Sequence, residues 1–255
     1  MKLYYHITGH GHPLIILHGL FGSGDNWYTL SNFFAEKFKV YTVDQRNHGR
    51  SPHSDIFNYH VMAEDLNNLM IHEGISSTYL LGHSMGGKTA MQFAVTHPEK
   101  VDKLVVVDIA PKAYSAQHDK IFDAMFALKL KSYKTRSELD TALAEHINDF
   151  PVRQFLLKNI TRGEDGEFKW KIDIHAIRKN YENINAAVEA TQPFEKPTLF
   201  IKGGKSAYVR EEDIPQIKSI FPRAEFAAVE NAGHWVHAEA PQEFAKILME
   251  FLVNN

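Results

Sequence analysis

Seven short apolar runs, KLYYHIT, PLIIL, FKVYTVD, STYLLG, KLVVVD, PTLFIK and AEFAAV, are bounded by turn residues and alternate with longer segments of helical period. That alternation is the mark of βαβ units, and βαβ units build a mainly parallel sheet with helices packed against it. The intervening periodicity predicts helices near residues 25–36, 58–73, 85–97, 211–220 and 241–253, with Asn58 and Pro241 at helix-entry positions. The fold class is therefore α/β, and 255 residues suffice for one domain or for one domain carrying an insertion.

The rhythm breaks between Pro111 and Pro193. There QHDKIFDAMFALKLKSY and RSELDTALAEHIN have helical period, and FLLKNITRGEDGEFKWKID carries a turn signal at Glu164–Gly166 between two mixed apolar segments. The chain thus divides into a core, residues 1–110 and 193–255, and a mostly helical cap insertion, residues 111–192. A thin insertion cannot bury Phe122, Met125, Phe126, Phe155 and Trp170 by itself. Of these, Phe122, Phe126, Phe155 and Trp170 are expected to line a substrate pocket, together with Phe21 and Trp235 of the core.

Composition removes several chemistries. The chain has no cysteine, so it has no disulfide framework, thiolate metal site or cysteine nucleophile. Its 28 basic and 31 acidic residues form no long block of one sign, which argues against nucleic-acid or anionic-membrane partners and for a small-molecule ligand. The 15 histidines are scattered, so no metal site and no cofactor is expected. The start, MKLYYHITGHGH, lacks an apolar stretch of signal-peptide length, and nowhere do eighteen apolar residues run together. The expectation is a soluble cytoplasmic monomer.

The stretch Gly82-His83-Ser84-Met85-Gly86 lies between a predicted strand and a predicted helix. A sharp strand-to-helix turn strains its apex residue, and side chains two positions away on either side collide, so the glycines leave room for Ser84 to stand above the sheet. The following helix places its positive end near the serine oxygen. A serine in this context is a candidate nucleophile for acyl transfer, and the N–H of the next residue, Met85, is a candidate oxyanion donor.

Together with GHSMGG, the segments LHGLFGS (17–23), VDQRNHGRS (43–51) and NAGHWVHAE (231–239) make the chain resemble the α/β-hydrolase superfamily over nearly its whole length. Within it, the combination is most similar to small bacterial carboxylesterases and acyl-CoA thioesterases. The resemblance implies an α/β-hydrolase fold, with a second oxyanion donor after His18-Gly19 at Leu20, or failing that Phe21, and with His18 bracing the loop. It also implies that His234, the histidine directly after Gly233, is the general base, with His237 as a rival. His83 is expected to point away from the serine oxygen.

An imidazole that deprotonates serine needs a carboxylate to fix its tautomer. In most of the superfamily that acid follows the strand equivalent to PTLFIK, but here Gly203, Gly204, Lys205 and Ser206 stand there, and Glu211–Asp213 lie too far on. Asp108, ending KLVVVD on the strand expected to lie beside that of Ser84, is the candidate instead; Asp44 and Asp25 are weaker rivals. Ser206 either hydrogen-bonds Asp108 or His234 or is an ordinary loop serine. These residues imply a serine hydrolase that cleaves esters or thioesters, acyl-CoA included, of small to medium acyl groups through an acyl-enzyme. Lys112, Lys129 and Lys131 are candidates to meet a phosphate. An interfacial lipase is disfavoured by 13 basic and 13 acidic residues between 112 and 195. The rival readings are a C–C bond hydrolase or lyase on the same scaffold, and a ligand receptor without turnover.

Overall fold

The computed structural model describes residues 1–254. The strands in chain order are β1 (Tyr4–Thr8), β2 (His12–Leu17), β3 (Phe38–Asp44), β4 (Thr78–His83), β5 (Val101–Val107), β6 (Ile160–Arg162), β7 (Phe168–Trp170), β8 (Thr198–Gly203) and β9 (Ala224–Val229). All seven apolar runs lie in one sheet of order β1-β3-β2-β4-β5-β8-β9. β1 runs antiparallel to β3 and every other neighbouring pair is parallel.

The two-residue period of the strands splits their side chains between two apolar layers. Ile15, Leu17, Leu104 and Val106 pack with helices Tyr59–Glu73, Met85–Thr96 and Ile214–Ile220. Leu14, Ile16, Val105 and Val107 pack with helices Tyr28–Phe34 and Pro241–Asn254 on the other face. Fully burying each such side chain contributes about 1.5–3 kcal/mol before the entropy of ordering is set against it. Asn58 caps the helix Tyr59–Glu73 by accepting from Val61 N–H at 3.0 Å, and Gly74 ends it in the left-handed conformation.

Between β5 and β8 the chain forms helices Asp119–Ala127, Arg136–Ala144, Phe150–Leu157, Ile174–Lys179 and Tyr181–Asn185 and the hairpin β6–β7. The hairpin turns at Gly166, whose φ of 78° matches the turn signal in the sequence. These elements share a third apolar cluster with Phe21, Phe57, Met62 and Met85, so they sit over the end of the sheet where Ser84 emerges. The helix Phe150–Leu157 was not among those expected: Asp149 caps it through Val152 N–H at 3.0 Å and Pro151 occupies its first turn. Among the described residues no helix is long and apolar enough to cross a membrane, and no group of three or more His, Asp or Glu could hold a metal ion.

Candidate active site

Ser84 joins β4 to the helix Met85–Thr96 with φ 53° and ψ −118°, a conformation that non-glycine residues rarely adopt. Its N–H donates to the Val107 carbonyl at 2.9 Å, tying the turn to β5. Two glycines make the bend possible. A Cβ on Gly82 would lie 2.1 Å from the Gly86 carbonyl oxygen, and one on Gly86 would lie 2.4 Å from that of Leu17.

The loop after β9 carries His234 to the serine, with Nε2 3.1 Å from Ser84 Oγ. Its Nδ1 lies 2.7 Å from Oδ2 of Asp108. Asp108 is fully buried immediately beyond β5, with φ 51°. Its Oδ1 accepts the Gly203 N–H at 3.0 Å, and its Oδ2 also accepts the hydroxyl of Ser206. A buried carboxylate taking three donors is paid for by its partners. It holds the proton on Nδ1 of His234 and leaves Nε2 to accept from the serine. The Tyr208 ring stacks on His234 with centroids 4.1 Å apart. His83 Nε2 lies 2.8 Å from the His234 carbonyl and donates to it, and burial pushes the His83 imidazole well below its usual range.

The loop after β2 is braced by two buried histidines. His18 donates from Nδ1 to the Gly19 carbonyl at 2.8 Å and accepts Gln45 N–H on Nε2 at 3.0 Å; burial pushes its pKa down to about 4. His48 donates from Nδ1 to the Arg46 carbonyl at 2.9 Å and accepts the N–H of Phe21 on Nε2 at 3.2 Å; burial takes it down to about 3. Asn159 of the insertion donates to the Phe21 carbonyl at 2.7 Å. The Phe21 N–H, the alternative oxyanion donor expected from the sequence, is therefore engaged by His48. Among the described residues no acceptor takes the Leu20 N–H, and Met85, first residue of its helix, has no partner in the preceding turn. Gln45, His48 and Asn159 carry no expected role in the sequence: Gln45 and His48 fall in the VDQRNHGRS segment that contributes to the resemblance, and Asn159 falls in the insertion.

The rival acids and bases are engaged elsewhere. Asp44 accepts Gly24 N–H at 2.7 Å and Arg50 N–H at 2.8 Å, and Asp25 pairs with Arg50 at 2.9 Å. Asp213 is bound by Lys112 at 2.7 Å, while Glu211 and Glu212 pair with Lys202 and Arg210. Of the lysines considered for a phosphate, Lys112 is thus neutralised, and Lys131 pairs with Glu167 at 2.9 Å. His237 stacks on Trp27 with centroids 4.2 Å apart, and burial pushes it down to about 3.

A cleft of about 530 Å³ opens over Ser84 and His234, lined by Leu20, Phe21, Phe155 and Trp235 among others. The Phe155 and Trp235 rings face each other at 5.5 Å. Three of the residues expected in its wall are elsewhere. Phe122 is fully buried in the insertion's own cluster, Phe126 lies 40% exposed against Phe122 and His175, and Trp170 packs on the outside of that cluster. The insertion buries more of its apolar bulk than its size suggested, because Phe21, Phe57 and Met85 of the core close the cluster from below.

Residues 12–241 match the alpha/beta hydrolase fold family. The chain is 38% identical over 252 residues to an sn-1-specific diacylglycerol lipase of Danio rerio, covering 96% of this chain and 79% of that protein. It is 36% identical over 241 residues to the esterase YbfF of Escherichia coli, covering 94% of this chain and 92% of that protein. The solved structure titled marine microorganism esterase is 46% identical, with a TM-score of 0.96 over 98% of this chain and 99% of that one. On this match, and on a seven-stranded sheet with one antiparallel edge, the chain belongs to the α/β-hydrolase fold family.

Proposed function

We propose that the protein is a serine hydrolase of carboxylic esters and thioesters. The observation that carries the reading is the unbroken path of hydrogen bonds from Ser206 through Asp108 and His234 to Ser84. Relatives named esterase and lipase support it.

In this reading His234 Nε2 takes the proton of Ser84 as Oγ bonds to the carbonyl carbon. The tetrahedral oxyanion lies against the N–H groups of Leu20 and Met85 at the positive end of the helix. Collapse breaks the bond to the leaving oxygen or sulfur, which receives the proton from His234. Water, deprotonated by the same nitrogen, then releases the acid and restores the serine. Asp108 keeps His234 in the tautomer that both half-reactions use and stabilises the imidazolium between them. Labelling by a fluorophosphonate, with turnover of a p-nitrophenyl ester, tests the proposal. One label per chain at Ser84 with loss of turnover is expected; turnover that survives labelling, or a label elsewhere, contradicts it.

A further inference from the structure

A second cavity meets the first at the serine. It holds about 40 Å³ and is lined by Leu20, Ser84, Met85, Tyr59, Lys88 and Ile184 among others. The two differ in which part of the machinery they touch: His234 lines the large cleft and not the small pocket, and Met85 lines the small pocket and not the cleft.

Resting on the hydrolase reading, we propose that these cavities divide the ester, the acyl tail entering the small pocket and the alcohol lying in the cleft, so that the substrates are short-chain acyl esters of bulky alcohols. The proton that frees the alcohol comes from His234 Nε2, so the leaving oxygen must stand within hydrogen-bond reach of that nitrogen, on the cleft side. The carbonyl oxygen must meet Met85 N–H, and the acyl tail continues past it, away from His234, into the pocket that Met85 walls.

Space and rigidity then set the tail's length. At about 10–15 Å³ per water-sized group, the pocket takes about three or four such groups beyond the carbonyl. Its far end is fastened. Tyr59 donates its hydroxyl to the Ile184 carbonyl at 2.6 Å, and Lys88 donates from Nζ to the carbonyls of Asn185 at 3.3 Å and Ala186 at 2.5 Å. Tyr114 donates to the Tyr208 carbonyl and accepts the Ala110 N–H at 2.9 Å. A longer tail has to displace groups held by these hydrogen bonds, whereas the cleft is more than ten times larger.

Two isomeric esters decide the orientation: octyl butyrate and butyl octanoate share one formula, so solubility differs little. Acid release followed by titration is expected to give octyl butyrate a kcat/KM about tenfold or more above its isomer. Equal rates, or a preference for butyl octanoate, overturn the division while leaving the hydrolase reading standing. No turnover of any ester, with no fluorophosphonate label at Ser84, overturns both. Ile184→Ala, which shortens one wall without touching the hydrogen-bonded path to Ser84, is expected to move the ratio about fivefold or more toward butyl octanoate. A folded Ile184→Ala protein with an unchanged ratio refutes the small pocket as the acyl site; should that variant not fold, the isomer pair on the unaltered protein still decides.

Discussion

Ser206 donates its hydroxyl proton to Asp108 Oδ2, the same oxygen that takes Nδ1–H of His234. The serine stands beyond β8, and the acid just beyond the neighbouring β5, so a hydroxyl from the loop after one strand completes the hydrogen bonding of a carboxylate that follows the next. Asp108→Asn is expected to lower kcat about 10³–10⁴-fold, because the amide no longer holds the imidazole in the working tautomer. Ser206→Ala removes one charge-assisted bond while Gly203 and His234 remain as donors, and a loss of about tenfold is expected. Steady-state kinetics on a p-nitrophenyl ester separate the two; a harmless Asp108→Asn contradicts the assignment.

His48 holds the backbone of the loop after β2 at Phe21, a residue with φ 60°, next to the proposed oxyanion donor Leu20. Removing the acceptor by His48→Ala frees the loop and misplaces the Leu20 N–H. The expected outcome is a kcat about 10–100-fold lower with KM little changed, since the donor matters most to the transition state. A rise in KM at constant kcat speaks against Leu20 as the donor.

Acid should unfold this chain through its histidines. Burial pushes His18 and His118 down to about 4 and His48 and His237 down to about 3. The unfolded chain takes up these protons near pH 6.5 and the folded one does not, so stability falls as pH drops from about 6.5 toward 4. Each group contributes at most about 1.4 kcal/mol per pH unit in that window. Urea midpoints measured at pH 7, 6 and 5 should fall steadily, and a flat series is the contrary result.

Lys88 has the opposite position on the pH scale. Burial lowers it from 10.5 to about 7. Between those values the unfolded chain carries a proton that the folded chain has released, so stability rises with pH from about 7 toward 10. Below about 7 both states are protonated and the difference is constant. Urea midpoints of the unaltered protein should climb from pH 7 to pH 9, and Lys88→Met should remove that climb; parallel curves for the two proteins contradict it.

The core was legible because burial on both faces leaves a strong mark: runs such as PLIIL and KLVVVD announce strands wherever they stand. The bend at Ser84 was legible for a steric reason, since only glycine fits at 82 and 86. Asp108 could be picked out because a carboxylate closing an apolar run requires partners. The insertion was less so. Ile174–Lys179 and Tyr181–Asn185 are too short for a helical period to emerge, and local caps such as Asp173 define them. Its aromatic residues were expected in a pocket, yet Phe122 packs inward against Phe21 and Tyr181, a long-range choice with no sequence signature. His48 and Asn159 act on a loop far away in the chain, and nothing local in either segment discloses that.

On the proposed mechanism, Ser84 becomes acylated in the course of turnover. Acid quenching of the enzyme during hydrolysis of p-nitrophenyl butyrate, followed by mass spectrometry of its peptides, tests it most directly. A butyryl group is expected on the peptide holding Ser84 and absent in Ser84→Ala, which should also lose turnover by a factor of about 10³ or more. An unmodified Ser84 peptide together with undiminished turnover in Ser84→Ala would rule out Ser84 as the nucleophile.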